Sequence, residues 1–213
     1  MGKKIIQIIL AAVVIGLVYV VYTMISTPIK FEQEQKYRSA KVIERIKDIR
    51  TAERTFKSKY QRFTADFDSL INFILTEQLE GERKKIDEDD SVAMAQARKK
   101  YGRRWQNVEK FSFSVKDSLF KHLSIEEVKN LRYVPFTDNR TEYILEAGIL
   151  TTESKIVIPT VECRAPYISF LDTIAYRQEV INLVDNEINN LNRYPGIKFG
   201  SMVSGNNEAG NWE

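Results

Sequence analysis

Polar and apolar positions divide the chain into stretches of unlike rhythm. From Ile5 to Ser26 the sequence IIQIILAAVVIGLVYVVYTMIS carries no charge and a single strongly polar side chain, Gln7. Apolar residues there occupy every helical face, so the segment has no polar side to turn to water. With ~1.5 Å of rise per residue, its 22 positions make a helix of about 33 Å, against a hydrocarbon layer of ~30 Å. The pattern predicts a membrane-spanning helix through Ile5, Ile9, Val13, Gly16, Val20 and Ile25, with Gly16 as the site of close lateral approach. Tyr19 and Tyr22 suit the headgroup level, and Pro28 is expected to bend or kink the chain beyond. A cleaved signal peptide would have an apolar core of only ~7–15 residues and a small-x-small site. The sequence that follows, TMISTPIKF, offers none.

Beyond Pro28 the period becomes helical and one-sided. Val42, Ile46, Ile49, Ala52 or Glu53, Phe56 and Tyr60 recur at three- and four-residue spacing, opposite a face of Lys, Arg and Glu. An amphipathic helix of about 30 residues should therefore continue the membrane helix, and its stripe must pack on something. Two surfaces could cover it, a sheet of the same chain or the same helix of neighbouring copies. The stripe gives out after about three heptads, with Glu53 in the seam, which favours the sheet over a coiled coil. In YQRFTADFDSLINFIL, Thr64 or Asp66 can cap a second short helix with Phe67, Leu70, Ile71 and Ile74 on its apolar side. Phe63 and Phe67 are read as core plugs rather than as a ligand box.

The middle of the chain is charged. The run from Glu82 to Asp90 has no apolar face beyond Ile86 and reads as a solvated helix or a mobile loop. Asp90 or Ser91 can cap a further helix with Met94, Ala97, Tyr101 and Trp105 on one side. Arg98, Lys99, Lys100, Arg103 and Arg104 crowd the same segment. Basic side chains interleaved with aromatics could meet an anionic headgroup, single-stranded nucleic acid or a protein partner; the plainer alternative is a solvated helix face. Arg98, Lys99, Tyr101, Arg103, Arg104 and Trp105 are the candidate partner-binding set.

From Phe111 the period falls to two. Phe111, Phe113 and Val115 alternate with Ser112 and Ser114, LRYVPF at 131–136 reads as a strand and TDNR at 137–140 as a turn. Tyr143, Leu145, Ala147 and Ile149 form one face of a clean alternator, and TTES at 151–154 loops into the strand KIVIPTVEC. Ser124 and Glu127 make a capping box that opens a short helix. Val180, Ile181, Val184 and Ile188 mark a later helix, stopped at YPG before a short closing strand IKFGSMV. The tail SGNNEAGNWE is expected to be disordered, with Trp212 a candidate docking anchor for a partner. Strands this close together pair antiparallel as a meander, so the expected class is α+β: a transmembrane helix continuing into a long amphipathic helix packed on a small antiparallel sheet, with further helices. The divisions are residues 1–27 (anchor), 28–75 (amphipathic and second helices), 76–109 (charged insertion), 110–203 (strands and C-terminal helix) and 204–213 (tail).

Composition narrows the chemistry. Lys+Arg 32 against Asp+Glu 29 gives a net charge of +3, and two of those charges are Lys3 and Lys4 before the anchor. A domain this close to neutral argues against nucleic acid. One His and one Cys exclude a His-rich zinc site, a four-cysteine knuckle and an intrachain disulfide. His122 lies near no Ser or Cys motif, Cys163 reads as a small buried hydrophobe, and phosphate-loop, GxSxG, HExxH and dinucleotide signatures are missing. No catalytic, cofactor-binding or metal-ligating residue is therefore expected. The basic flank of Lys30, Lys36, Arg38, Lys41 and Arg45 favours an internal domain by count. The short positive tail before a long apolar run has the layout of an exported domain, which is the orientation adopted.

The first 75 or so residues carry a further pattern. An unbroken apolar helix, then IRTAERTFKSKYQRFTADFDSL with Ala52, Glu53, Phe56, Tyr60, Phe63, Asp68 and Leu70, resembles the type IV pilins and the pseudopilins of type II secretion. The leader departs from that family, since Gly2 is followed by Lys3 and the fifth position after it is Gln7 rather than Glu. The resemblance implies a permanently anchored, pilin-like subunit of a cell-envelope export, secretion or pilus-type complex. Such a subunit would sit in the cytoplasmic (inner) membrane, with the bilayer, other envelope subunits and further copies of itself as partners. A membrane-tethered ligand-binding or sensor domain is the alternative.

Overall fold

The computed structural model describes residues 2–87, 89–102 and 105–213. Its first element, α1 (Gly2–Tyr60), is one helix of 59 residues. Pro28 lies inside it and does not end it, although proline offers no N–H to the carbonyl four residues back. The N-terminal part of α1 is bare, whereas Val42, Ile46, Ile49, Ala52 and Phe56 are buried in the core. Burial of each large member of that stripe contributes about 1.5–3 kcal/mol. Tyr60, the expected last member, is half exposed at the helix end. Gln61 follows at φ 57, and its N–H donates to the Lys57 carbonyl at 2.8 Å, so the helix closes in a left-handed turn.

The turn leads into α2 (Phe67–Thr76), whose N-cap is Asp66, with its carboxylate accepting from the Asp68 and Ser69 N–H groups. Phe67, Leu70, Phe73 and Ile74 are its buried residues, and Phe73 meets Phe56 edge-on at 5.2 Å. Next comes β1 (Gln78–Lys84), then α3 (Ser91–Tyr101), capped by Asp90, then β2 (Val108–Ser114). β1 and β2 pair antiparallel from Gln78 opposite Ser114 to Lys84 opposite Val108. The start of the charged run is thus strand, not solvated helix or loop, because its partner lies beyond α3. At Gly81 a side chain would meet the Phe111 ring at 2.7 Å, so only glycine lets that ring lie across the ribbon.

Two short helices follow, α4 (Val115–Leu119) and α5 (Ile125–Lys129), the second opened by the expected Ser124–Glu127 capping box. The segment 131–136 is not a strand: it runs through turns with a single bridge, Tyr133 to Glu142, and Phe136 sits at φ 67. The main sheet has the order β3 (Ile144–Thr151), β4 (Val157–Pro166), β5 (Gly196–Gly200), all antiparallel. α6 (Tyr167–Phe170) and α7 (Arg177–Asp185), which continues as a π-helical turn at Asn186–Asn190, lie between β4 and β5. In α7 only Val180 is fully buried, and Ile181 and Ile188 are exposed, so the apolar stripe is shorter than expected.

Period two decides which face of the sheet meets α1. Tyr143, Leu145, Val161, Cys163, Ala165, Ile197 and Phe199 are buried with the α1 stripe in one core. The opposite positions carry charge: Arg164 pairs with Glu146 at 2.6 Å and Glu162 at 3.0 Å. Ile149 continues the inner alternation in sequence but is 73% exposed, near the hairpin end of the sheet. Tyr143 donates its hydroxyl proton to the Val42 carbonyl at 3.2 Å, and Arg45 donates to the Tyr133 carbonyl at 2.9 Å. The long helix is therefore held to the α+β body by polar ties as well as by packing.

Candidate functional site

Three surfaces carry the chemistry that could be functional. The first is the bare half of α1. Ile9, Val13, Val20 and Ile25 are exposed, as are Tyr19 and Tyr22. Nothing comes within 4 Å of a side chain placed at Gly16, and Ile5 lies within the helix. This is a helix long and apolar enough to cross a membrane, and none of its most apolar stretch is covered by the protein. Thirteen Ile, Leu and Val residues fall between 5 and 26. Inserted in a bilayer, they would contribute on the order of −4 to −8 kcal/mol together. The body begins to cover α1 at Phe31, which is buried against the Tyr176 ring at 5.6 Å.

The second surface is the arm formed by β1, α3 and β2. Arg98 and Lys99 are exposed in the last turn of α3, where cations complement the helix dipole. Tyr101 stacks on Trp105 with centroids 6.0 Å apart and planes at 18°, and the Lys100 ammonium lies 5.2 Å from the Tyr101 centroid. Four of the expected partner-binding residues are thus gathered at one end of the arm; Arg103 and Arg104 lie outside the described residues. The arm is rooted at the far end of α1, where Lys59 pairs with Glu77 and donates to the Gln78 carbonyl. Ile29 and Tyr60 are about 45 Å apart along the helix.

Trp212 does not join that group, and the tail is not disordered. It folds back along β5, with a bridge from Phe199 to Gly210. Gly200 N–H donates to the Ala209 carbonyl at 3.0 Å, and Asn211 N–H to the Lys198 carbonyl at 3.0 Å. The Asn211 side chain accepts from Lys198 N–H and donates to the Gly196 carbonyl. Trp212 packs against the core and lies under the Arg50 guanidinium at 5.6 Å. Arg50 also pairs with Glu213 at 2.6 Å, while Arg54 and Lys57 both reach Glu208, at 3.3 and 3.4 Å. These cations recur at i, i+4 and i+7 on one face of α1. Their spacing is visible in the sequence, but their acidic partners lie some 150 residues away and were missed.

Further titratable groups lie outside those surfaces. His122 Nε2 lies 3.1 Å from Asp48 Oδ1, and both line a cleft of about 310 Å³ together with Tyr37, Arg45, Glu127 and Phe136. Burial raises the Asp48 carboxyl above its usual range. Among the described residues no Ser or Cys is hydrogen-bonded to that imidazole, and no cluster of three His, Cys, Asp or Glu could hold a metal. Cys163 is buried in the sheet, and burial pushes its thiol well up, which leaves little thiolate to react. Glu53 is fully buried in the α1 stripe. Its Oε2 accepts from Thr64 N–H at 3.1 Å and Oε1 has no partner, so desolvation raises its carboxyl to about 8. Comparison with protein-family models, characterised proteins and solved structures finds no match to this chain.

Proposed function

We propose that the protein is a single-pass, pilin-like structural or assembly subunit of a cell-envelope export, secretion or pilus-type complex. One observation carries this reading: α1 is a single helix, bare and apolar over its first half and buried in an α+β body over its second. An anchor that enters its domain without a linker fixes the body's position relative to the bilayer, which suits a component whose contacts depend on placement. The helix lies in the cytoplasmic membrane, with the body on the extracytoplasmic side. The resemblance of residues 49–70 to pilins and pseudopilins supports the same reading, and the Lys3 and Gln7 departures favour a subunit that stays anchored.

The arm supplies partner surface. Its root is about 45 Å along α1 from the apolar segment, further than the ~23 Å that seven ribbon residues span. Protein therefore suits Arg98, Lys99, Tyr101 and Trp105 better than headgroups of the anchor's own bilayer. The cleft beside Asp48 and His122 is the observation favouring the second reading, a tethered ligand-binding domain. Crosslinking in membranes, detergent purification and mass spectrometry discriminate between the two. A subunit brings down other membrane proteins in fixed ratio, with links from Lys99 or Lys100. Recovery as a lone monomer would overturn the assembly reading.

A further inference from the structure

Single exposed apolar side chains are common on protein surfaces, and their position decides what they mean. In the loop between α6 and α7, Phe170 and Leu171 are buried in the core, whereas Ile174 is 94% exposed, and Ile168 of α6 is 66% exposed. The loop is a fixed turn. The Asp172 carboxylate accepts from the Ile174 and Ala175 N–H groups, both at 2.9 Å, and Tyr176 N–H donates to the Asp172 carbonyl at 3.1 Å. Ile174 is thereby held outward rather than left to fold onto the body.

Two contacts place the loop along α1. The Arg38 guanidinium donates to the Phe170 carbonyl at 2.8 Å, and the Phe31 ring meets Tyr176 at 5.6 Å. From the first contact to the second the loop advances seven residues of α1, about 10 Å, toward the bare apolar segment. The chain then turns back, since Tyr167 of α6 and Glu187 of the π-helical turn line one cleft. Residues 171–176 are thus the tip of a hairpin aimed at the anchor. Phe31 lies five residues, or about 7.5 Å, past Ser26, and one headgroup layer is ~5–7 Å deep. Lys30 and Lys36 on α1 and Arg177 at the start of α7 are exposed at that level. The acids there are Glu32 and Glu34, and Glu34 is paired with Arg38.

Resting on the reading of α1 as a membrane-spanning helix, we propose that this tip is a second membrane contact. Ile174 seats in the headgroup layer of the bilayer that α1 crosses, and Lys30 and Arg177 face its phosphates. The occupant follows from position. Phe31 and Tyr176 tie the tip to the anchor without a linker, and the headgroup layer is what lies at that height. An apolar side chain flanked by cations suits this layer, because the alkyl group leaves water while the cations keep anionic partners. Membrane-spanning helices tilt by ~20° on average. A contact on one side of α1 gives that tilt a direction, so the body leans toward the α6–α7 side.

Full-length protein in vesicles of phosphatidylcholine with a minority of phosphatidylglycerol provides the test. Cys163 is buried and its thiol is pushed up, so Ile174→Cys takes an environment-sensitive maleimide dye on its own. Nitroxide lipid labelled near the top of the acyl chain should remove about half of that dye's emission, as for a group at the headgroup–acyl boundary. A dye on Val20→Cys reports the anchor. One on Val203→Cys, between Ser201 and Ser204 beside Lys57 at the far end of α1, reports solvent and should keep its emission. Arg177→Gln should lower the fraction of tips in contact about fivefold, because one cation at an anionic surface is worth about 1 kcal/mol. Quenching of the anchor dye without quenching at Ile174→Cys would overturn the inference and leave the anchor standing; quenching at neither would overturn both. A dye at Ile174→Cys that shifts to shorter wavelength yet ignores the nitroxide would put a protein on the tip and overturn the inference. Indifference to Arg177→Gln would overturn the headgroup contact.

Discussion

Glu53 makes the stability of the body depend on pH in a direction opposite to most carboxylates. It is fully buried, its Oε2 holds the Thr64 N–H and its Oε1 has no partner. From the sheet, the Cys163 thiol couples to it electrostatically, and that thiol is itself raised by burial and supplies no counter-charge. The folded carboxyl is raised from its ordinary 4.5 to about 8, so between those values the folded chain holds a proton that the unfolded chain has released. Stability is full below about 4.5 and is lost as pH rises through about 8, at about 1.4 kcal/mol per pH unit. Over that window the loss is capped at about 5 kcal/mol. Glu53→Gln removes the titration and keeps an acceptor for Thr64, while its amide leaves a buried donor costing about 1–3 kcal/mol. The variant should therefore be no more stable than the parent at pH 5 and more stable by a few kcal/mol at pH 8.5. Urea unfolding at fixed detergent, followed by circular dichroism, gives the difference, from which titrations common to both proteins cancel. A difference that stays flat from pH 5 to pH 8.5 would refute the reasoning.

Other outcomes test the remaining parts of the structure. A chain beginning at Lys30, which keeps Phe31 on Tyr176, should stay in solution without detergent, whereas the full chain should sediment with membranes after carbonate washing. Gly200→Ala should lower the unfolding free energy by at least about 2 kcal/mol, since φ is 77 and the new methyl would run into the Val161 carbonyl. Asp66→Ala should cost about 1 kcal/mol by removing the α2 cap, measured as a shift in the urea midpoint at pH 7. Trypsin should clip first within the two-stranded arm, at Arg83 to Lys100, because an isolated ribbon is marginally stable; the α1 stripe and main sheet should survive as protected fragments.

What could be read from the sequence follows the range of the forces involved. The long apolar helix, the α1 stripe, the Asp66 cap, the Ser124 box and the β3–β4 hairpin each rest on residues close together, and each is present. β1 was illegible because Gln78–Lys84 owes its conformation to Val108–Ser114, with α3 between them. Leu79 is its one apolar side chain, too little for an alternation to show in the sequence. The tail looked disordered because Gly, Asn and Ser dominate it, yet Arg50, Arg54 and Lys57 hold it down from the other end of the chain. For the same reason Trp212, expected to face a partner, faces its own core. The basic and aromatic residues at and just beyond the end of α3 were legible as a group, since Tyr101 and Trp105 meet across only four positions, although the helix stops at Tyr101 rather than carrying Trp105 on its own face.

The unbroken run of α1 through Pro28 gives the molecule a fixed phase as well as a fixed height. Each residue of a helix advances it by about 100° and 1.5 Å. The bearing of the arm around the axis of α1, relative to the bare apolar stretch, is therefore set by the number of residues between that stretch and Phe31. Removing one residue there would leave every contact within the body intact and turn its surfaces by more than a quarter of a circle relative to Gly16 and the other bare apolar positions of α1. In this chain, length itself is an angular coordinate.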